Sequence, residues 1–379
     1  MTSKQRLLLI GPLPPPLIGP ASATLQLMNS KILNSFFKIQ CLDISDKRGF
    51  SGIGQLNFHN IFQAISHYYK FIQVLFSCKP DVIYISIARG FWGFLRDSIF
   101  LITARIFRIP VVAHLRAGRF DIVHDSGWIG KFIAKTSLSG VVFGVVLANN
   151  LRSIFQKTID ESKIRVIPNG VDIEFGTNSV AVDSSQVTST IFTVICLTNL
   201  FPDKGIHVVI QAAALLVKQG YFFQIIFVGD WLVPTYKNYC LNLIEEFNLQ
   251  HNVVFAGVVT GRKKIDILHR ADIVVFTPIK PEGMPWVVLE AMAASKPVIG
   301  TPQGAMTEMI QHEATGLLIQ TDNPQELSEA ISRFIENPQL KQLMGENARK
   351  KIEEHYSITV AHQKLCSVLQ EALNGVEKK

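Results

Sequence analysis

Short apolar runs alternate along this chain with longer segments of helical period. RLLLIG, FKIQCLD, DVIYIS, VVAHL, VVFGVVLA and IRVIP occupy the first half, and each is five to eight residues long. Short, largely apolar and rich in β-branched residues, they predict buried strands. The segments between them, near 21–35, 57–77, 90–107, 126–138 and 149–157, predict helices. After Asn169-Gly170, a turn signal, comes a polar stretch over 177–190, read as a linker or exposed loop. The alternation then begins again. TIFTVICL, FQIIFVGD, NVVFAG, DIVVFTP and KPVIGT predict strands. DKGIHVVIQAAALLVKQG predicts a helix closed by Gly220, with further helices near 236–249, 261–270 and 285–295. A last, more charged segment, about 324–374, is also read as helical. Strand–helix alternation at this spacing predicts parallel sheets with helices on both faces. The expected organisation is α/β: two doubly wound domains, 1–170 and 171–379, facing across a cleft. The final helical stretch, about 356–374, is a candidate to pack back on the first domain. Ligands of such sheets bind off the carboxyl ends of the strands.

Composition narrows the class. Of 379 residues 48% are hydrophobic and 18% charged, and the mean hydropathy is +0.25. No apolar run reaches the ~18 residues of a membrane span. The N-terminal apolar run, residues 7–10, is too short for a signal peptide. Five scattered cysteines show neither a CxxC nor a Cys/His ligand spacing. The expectation is a protein of the cytoplasm, with reduced thiols, no metal and no bound cofactor. The charge, however, is uneven. Residues 1–169 hold 20 Lys+Arg against 8 Asp+Glu, and residues 170–379 hold 17 against 22, within an overall +7. A basic half suggests an anionic surface or acceptor as partner, although a merely solvated face gives the same count. FHNIFQAISHYYKFIQVLF and RGFWGFLRDSIFLITARIFR, in that half, interleave aromatic and basic residues. Peripheral contact with the inner face of an anionic membrane fits them, as does an ordinary core-facing helix. Apart from RKK at 262–264 there is no basic cluster and no nucleic-acid module, so nucleic acid is not an expected partner.

The segment PEGMPWVVLEAMAASKP, residues 281–297, holds Glu290 in the middle of an otherwise apolar helix, with Pro285 expected at the first helical position. An ionised carboxylate in such a place needs a partner. Either a Lys or Arg of the core supplies it, or the hydroxyls of a bound diol such as a ribose do. Glu282 precedes the same helix, near its free N–H groups.

Glu-x7-Glu followed by AMAASKPVI resembles the signature of the retaining glycosyltransferases of family 4, two-domain GT-B enzymes that use nucleotide sugars without a metal. Other segments match in order: GPLPPPLIGP as the first-strand loop, VIPNGVD as the domain junction, NLFPDKG as the phosphate turn, then DIVVFTP and TGLLI. The likeness spans nearly the whole chain. It implies that Glu290 holds the donor ribose and Glu282 the transferred sugar. The backbone of Gly283 and Met284 approaches the sugar and diphosphate, Lys204 neutralises the leaving diphosphate, and Gly19 lets the first loop come close to the phosphates. His114 and Arg116 are implied to act on the acceptor side.

Three departures stand out. Asn199 occupies a place where the family often has an arginine, which leaves Arg262 or Lys263 as the substitute clamp. Arg116 stands where many relatives carry a histidine, and suits an anionic acceptor such as a pyrophosphate-linked lipid. Pro20 offers no N–H where the loop usually has a second glycine. The expected partners are a nucleotide sugar and a lipid-linked or polysaccharide precursor acceptor. A nucleotide-sugar epimerase of the same architecture and a non-catalytic nucleotide-sugar-binding subunit are the alternatives. A nicotinamide dehydrogenase is disfavoured, because no GxGxxG follows the first strand.

Overall fold

The computed structural model of the protein describes residues 4–16, 18–47, 58–156, 158–173 and 191–377. The polar stretch at 177–190 lies outside them. Two compact units emerge, one of Met1–Asn169 with Thr359–Lys379 and one of Gly170–Ile358.

The first unit runs β1 (Gln5–Gly11), α1 (Gly19–Met28), α2 (Lys31–Phe36), β2 (Phe37–Asp43), α3 (Phe58–Cys78), β3 (Val82–Ile87), α4 (Phe91–Ile106) and β4 (Val111–Leu115). It continues through α5 (Asp121–His124), α6 (Gly127–Leu138), β5 (Phe143–Val146) and β6 (Ile164–Val166). Its six strands form one parallel sheet in the order β2-β1-β3-β4-β5-β6. The expected helix over 21–35 is two helices. The chain breaks at Asn29-Ser30, and the Ser30 hydroxyl caps α2 by accepting from Leu33 N at 3.2 Å. The segment expected as a helix at 149–157 is a short 3-10 turn over Asn149–Ile154.

Strand order fixes which helices share a face. From β2 the chain crosses β1 to reach β3 and then steps on to β4 and β5. These right-handed crossovers therefore put α3, α4 and α6 on one face of the sheet. The step from β1 back to β2 puts α1 and α2 on the other face. There Leu7, Leu9, Val82, Tyr84 and Val112 of the sheet pack with Leu27, Leu33, Leu365 and Leu369. The last two belong to α14 (Ile358–Glu377).

The second unit runs β7 (Phe192–Leu197), α7 (Ile206–Lys218), β8 (Phe223–Val228), α8 (Pro234–Glu246), β9 (Val253–Gly257), α9 (Gly261–Arg270) and β10 (Ile273–Phe276). It closes with α10 (Trp286–Ala293), β11 (Val298–Gly300), α11 (Met306–Met309), β12 (Gly316–Leu318), α12 (Pro324–Glu336) and α13 (Pro338–Lys351). The six strands again form one parallel sheet, ordered β12-β11-β10-β7-β8-β9. All seven residues from Val287 to Ala293 are buried. The three large aliphatic side chains among them stabilise the unit by roughly 1.5–3 kcal/mol each. Pro285 stands one residue earlier than expected, as the extended cap of α10.

Each sheet has one place where the chain reverses its direction of growth: between β1 and β3 in the first, between β7 and β10 in the second. Loops leaving such a pair of strands diverge and open a crevice. Lys204 and Glu282 lie on the loops leaving β7 and β10, Gly19 follows the loop after β1, and His114 and Arg116 stand at the end of β4, the strand beside β3.

Candidate functional site

In the second unit the loop after β7 and the loop after β10 are joined. Pro202–Lys204 forms a single 3-10 turn that Gly205 ends at φ 69°. A Cβ on Gly205 would lie 2.3 Å from the carbonyl oxygen of Thr277, so only glycine lets the turn sit this close to the end of β10. Across the contact Ile279 N donates to Asp203 O at 2.9 Å, and Lys280 Nζ lies 3.0 Å from Asp203 Oδ1. The Lys204 ammonium stands 5.4 Å from the ring centres of both Phe201 and Phe276 and pairs with Glu282 Oε1. The glutamate's own loop is held from behind. Gly304 has φ +59°, a Cβ there would fall 1.5 Å from Glu282 O, and Ala305 N donates to Gly283 O at 3.0 Å. Met284 is buried beside it. Thr277 Oγ1, buried at the end of β10, has no hydrogen-bond partner among the described residues.

Glu290, 8% exposed, is the buried acid of α10. Of the two partners left open by the sequence, the structure shows a lysine: Lys264 of α9 donates to Oε1. Burial pushes the carboxyl above its usual range, and the Lys264 charge opposes that push. Oε2 makes no hydrogen bond to the described residues, and a carboxylate offers acceptor sites on both oxygens. The ion pair therefore holds the acid in place and leaves an oxygen for a ligand hydroxyl. Arg262, expected as a substitute clamp, instead faces its own helix neighbour, with Nε 3.5 Å from Asp266 Oδ1. Asn199 is half-buried, and its carbonyl accepts from Phe201 N at 3.1 Å.

The first unit carries a second cluster. His114 of β4 is wholly buried. Tyr84 Oη lies 2.9 Å from its Nδ1 and accepts from Arg116 Nη2 at 2.9 Å and Nε at 3.3 Å. An oxygen that accepts from the guanidinium in this way turns its own hydrogen to Nδ1, which places the imidazole proton on Nε2. Burial, reinforced by the Arg116 charge, holds the histidine neutral by pushing its pKa well below the usual value. Nε2 has no partner among the described residues. Arg116 Nη1 donates to Asn169 Oδ1 at 2.6 Å, so the guanidinium is fixed from two sides. It borders a cavity of about 610 Å³ lined by the loops after β1 and β3 and by the starts of α1 and α4. Phe91, Trp92, Arg89, Arg96 and Arg116 contribute to its wall. Gly19 is the first residue of α1, with Pro20 in the first turn, where a missing N–H costs nothing.

Sequence reasoning missed Lys264, Tyr84 and Gly304. Lys264 had a signal: it lies one turn before Leu268, the buried residue of α9, and so on that helix's inward face. Tyr84 and Gly304 had none, since both act on residues remote in the chain. Among the described residues no group of three or more His, Cys, Asp or Glu is arranged to hold a metal ion. No described helix is long and apolar enough to cross a membrane.

Residues 183–351 match the family model described as glycosyl transferases group 1. An uncharacterized glycosyltransferase, MJ1607, of Methanocaldococcus jannaschii is 27% identical over 210 residues, covering 52% of this chain and 51% of that protein. The chain spans about half the length of the curated relatives it matches first. The capsular polysaccharide biosynthesis glycosyltransferase CapM of Staphylococcus aureus is matched over 84% of both chains at 24% identity. Among solved structures, Anabaena HepE in complex with UDP superposes with a TM-score of 0.77 at 21% identity, covering 97% of this chain and all of that one. That likeness shows the fold: two Rossmann-like units of the GT-B class.

Proposed function

We propose that this chain is a metal-independent, retaining glycosyltransferase. Its second unit binds a nucleotide sugar, and its first binds a lipid-linked or saccharide precursor as acceptor. The observation that carries the reading is the pairing of Lys204 with Glu282 at the reversal point of the second sheet, together with Glu290 and its unused oxygen. The sequence relatives named as glycosyltransferases support it, as do the HepE complexes with UDP and UDP-glucose.

The chemistry follows from where charge develops. Breaking the bond between the sugar and the diphosphate sends an electron pair to the departing oxygen and leaves positive charge on the ring. Lys204, held by Glu282 beforehand, supplies a fixed cation for that oxygen, and a fixed charge of this kind lowers the barrier by several kcal/mol. Glu282, on the loop after β10, faces the hydroxyls of the sugar. Glu290 accepts from the ribose through the oxygen that Lys264 does not use. The acceptor oxygen attacks the anomeric carbon from the face the diphosphate leaves, and its proton passes to a diphosphate oxygen. Arg116, preset by Tyr84 and Asn169, grips an anionic group of the acceptor.

A thermal-shift panel of nucleoside diphosphates and nucleotide sugars tests this, because a ligand of the folded state raises Tm. UDP or another nucleoside diphosphate should stabilise the wild type and not Glu290→Ala. Arg116→Ala should keep that shift and lose transfer. No shift with any nucleotide, or an undiminished shift in Glu290→Ala, would overturn the assignment. Nucleotide binding without turnover over many acceptors would favour a binding subunit.

A further inference from the structure

A helix laid on a sheet needs one apolar stripe, and the opposite face normally carries polar residues. The α3–α4–α6 layer of the first unit breaks that rule. On α3, His67, Phe71 and Leu75 face the core. Phe58, Phe62, Ile65, Tyr69 and Phe76 are exposed, and their spacing of four, three, four and seven puts them on a single stripe facing away from it. Phe58 is 94% exposed and Phe62 72%. On α4, Trp92, Ile99, Ile102 and Ile106 repeat the pattern, as do Trp128, Ile129 and Phe132 on α6, where Trp128 is 77% exposed. The layer thus carries a second apolar face, pointing outward.

On the three helices themselves the outward charges have one sign, and Asp125, exposed just before α6, is paired with Arg119. The three helices carry Lys70, Arg96, Arg105, Lys131 and Lys135, and Asp97 is their single acid. Asp97 is wholly buried and paired with Arg96, whose Nη2 lies 2.7 Å from Oδ1, so it does not face outward. A core-facing role explains the inner stripe only. Aromatic residues at the surface, flanked by lysines with no exposed acid among them, match the boundary between headgroups and acyl chains of an anionic bilayer.

We propose that the outer face of α3, α4 and α6 is a docking surface for an anionic lipid bilayer. The aromatic stripes enter the headgroup boundary, and Lys70, Lys131 and Lys135 meet the lipid phosphates. The inference rests on the same unit as the acceptor reading and deepens it. Asn60, Gln63 and His67 of α3 and Phe91 and Trp92 of α4 also wall the 610 Å³ cavity, so a lipid-anchored acceptor reaches Arg116 from the surface on which the protein sits.

The test uses the full chain and sedimentation with vesicles of phosphatidylcholine alone or with phosphatidylglycerol, without donor or acceptor, so its failure is separate from failure of the transferase reading. The wild type should bind the phosphatidylglycerol vesicles, more weakly as salt rises. Lys131→Glu with Lys135→Glu should weaken binding at least about tenfold, and Phe62→Ser with Phe132→Ser should weaken it at every salt concentration. All variants should keep the wild-type Tm and nucleotide shift, which reports that they fold. Absence of vesicle binding by the wild type, or equal binding by the folded variants, would overturn the proposal. So would a dimer in light scattering that the two Phe→Ser changes split, since a second copy would then be the occupant of the face.

Discussion

Lys264 and Glu290 form an ion pair that joins α9 to the interior of α10, although 25 residues separate them in the chain. The pair is unequal. The glutamate is buried, whereas the lysine retains 23% of its side-chain exposure. Removing the lysine leaves a buried acid without its cation, which is the costly half of such a cut. Lys264→Met should lower unfolding free energy by about 1–3 kcal/mol, raise the Glu290 pKa further and shrink the nucleotide-induced shift without abolishing it. Glu290→Ala should abolish that shift. Chemical denaturation and the thermal-shift panel read both. A Lys264→Met protein as stable as wild type would mean that the pair contributes nothing.

Lys204 and Glu282 are also paired, but on loops rather than between helices, and this glutamate keeps 23% of its side-chain exposure against 10% for Glu290. Lys204→Ala should therefore cost little stability while reducing kcat about 10²–10³-fold, as loss of one preorganised donor to developing charge does. Steady-state transfer with a responsive donor checks it. A change confined to KM would place Lys204 in ground-state binding only.

Gly304 supports Glu282 from a conformation that an L side chain adopts at a cost of about 1–2 kcal/mol. Its missing Cβ is also the space occupied by the Glu282 carbonyl. Gly304→Ala should lower stability by more than about 2 kcal/mol and depress transfer beyond what the lost stability explains. Gly220→Ala, also at positive φ but with nothing within 4 Å, should show the strain alone.

Three histidines of the first unit are buried and held neutral. Burial, with Arg96 adding to it, depresses His67 to about 4. Burial and then Arg116 depress His362 to about 4 and His114 well below its usual value. A histidine that binds its proton less readily when folded gives stability above its unfolded pKa of about 6.5 and loses it as pH falls towards 4. His67 and His362 should each contribute up to about 3 kcal/mol to that loss. Unfolding free energy should fall steeply between pH 6.5 and 4, and His362→Gln should flatten the slope. A pH-independent stability over that range would contradict the neutral assignment.

Tyr84→Phe removes the hydroxyl that accepts from Arg116 and bonds His114. It should leave the nucleotide shift intact while raising KM for the acceptor, because Arg116 then has Asn169 alone to orient it. An unaltered acceptor KM would remove Arg116 from the acceptor site.

The amino-acid pattern alone gave eleven of the twelve described strands and the α/β class, and it made the carboxylates of 281–297 visible; β12 (Gly316–Leu318), three residues long, is too short to show a pattern. A strand buried on both faces must be apolar at every position, and a lone acid in an apolar helix is visible without coordinates. The break between α1 and α2 was less legible, because Asn29-Ser30 interrupts a helical period only once Ser30 turns its hydroxyl to Leu33. Tertiary structure alone decided which cation meets which acid. Three neighbouring basic residues, Arg262, Lys263 and Lys264, read alike in sequence. Helical phase turns only Lys264 towards Glu290, while Arg262 is left to Asp266. The same holds for the outward stripe of α3: its two apolar faces are equivalent as a pattern, and only the position of the sheet makes one of them core and the other surface.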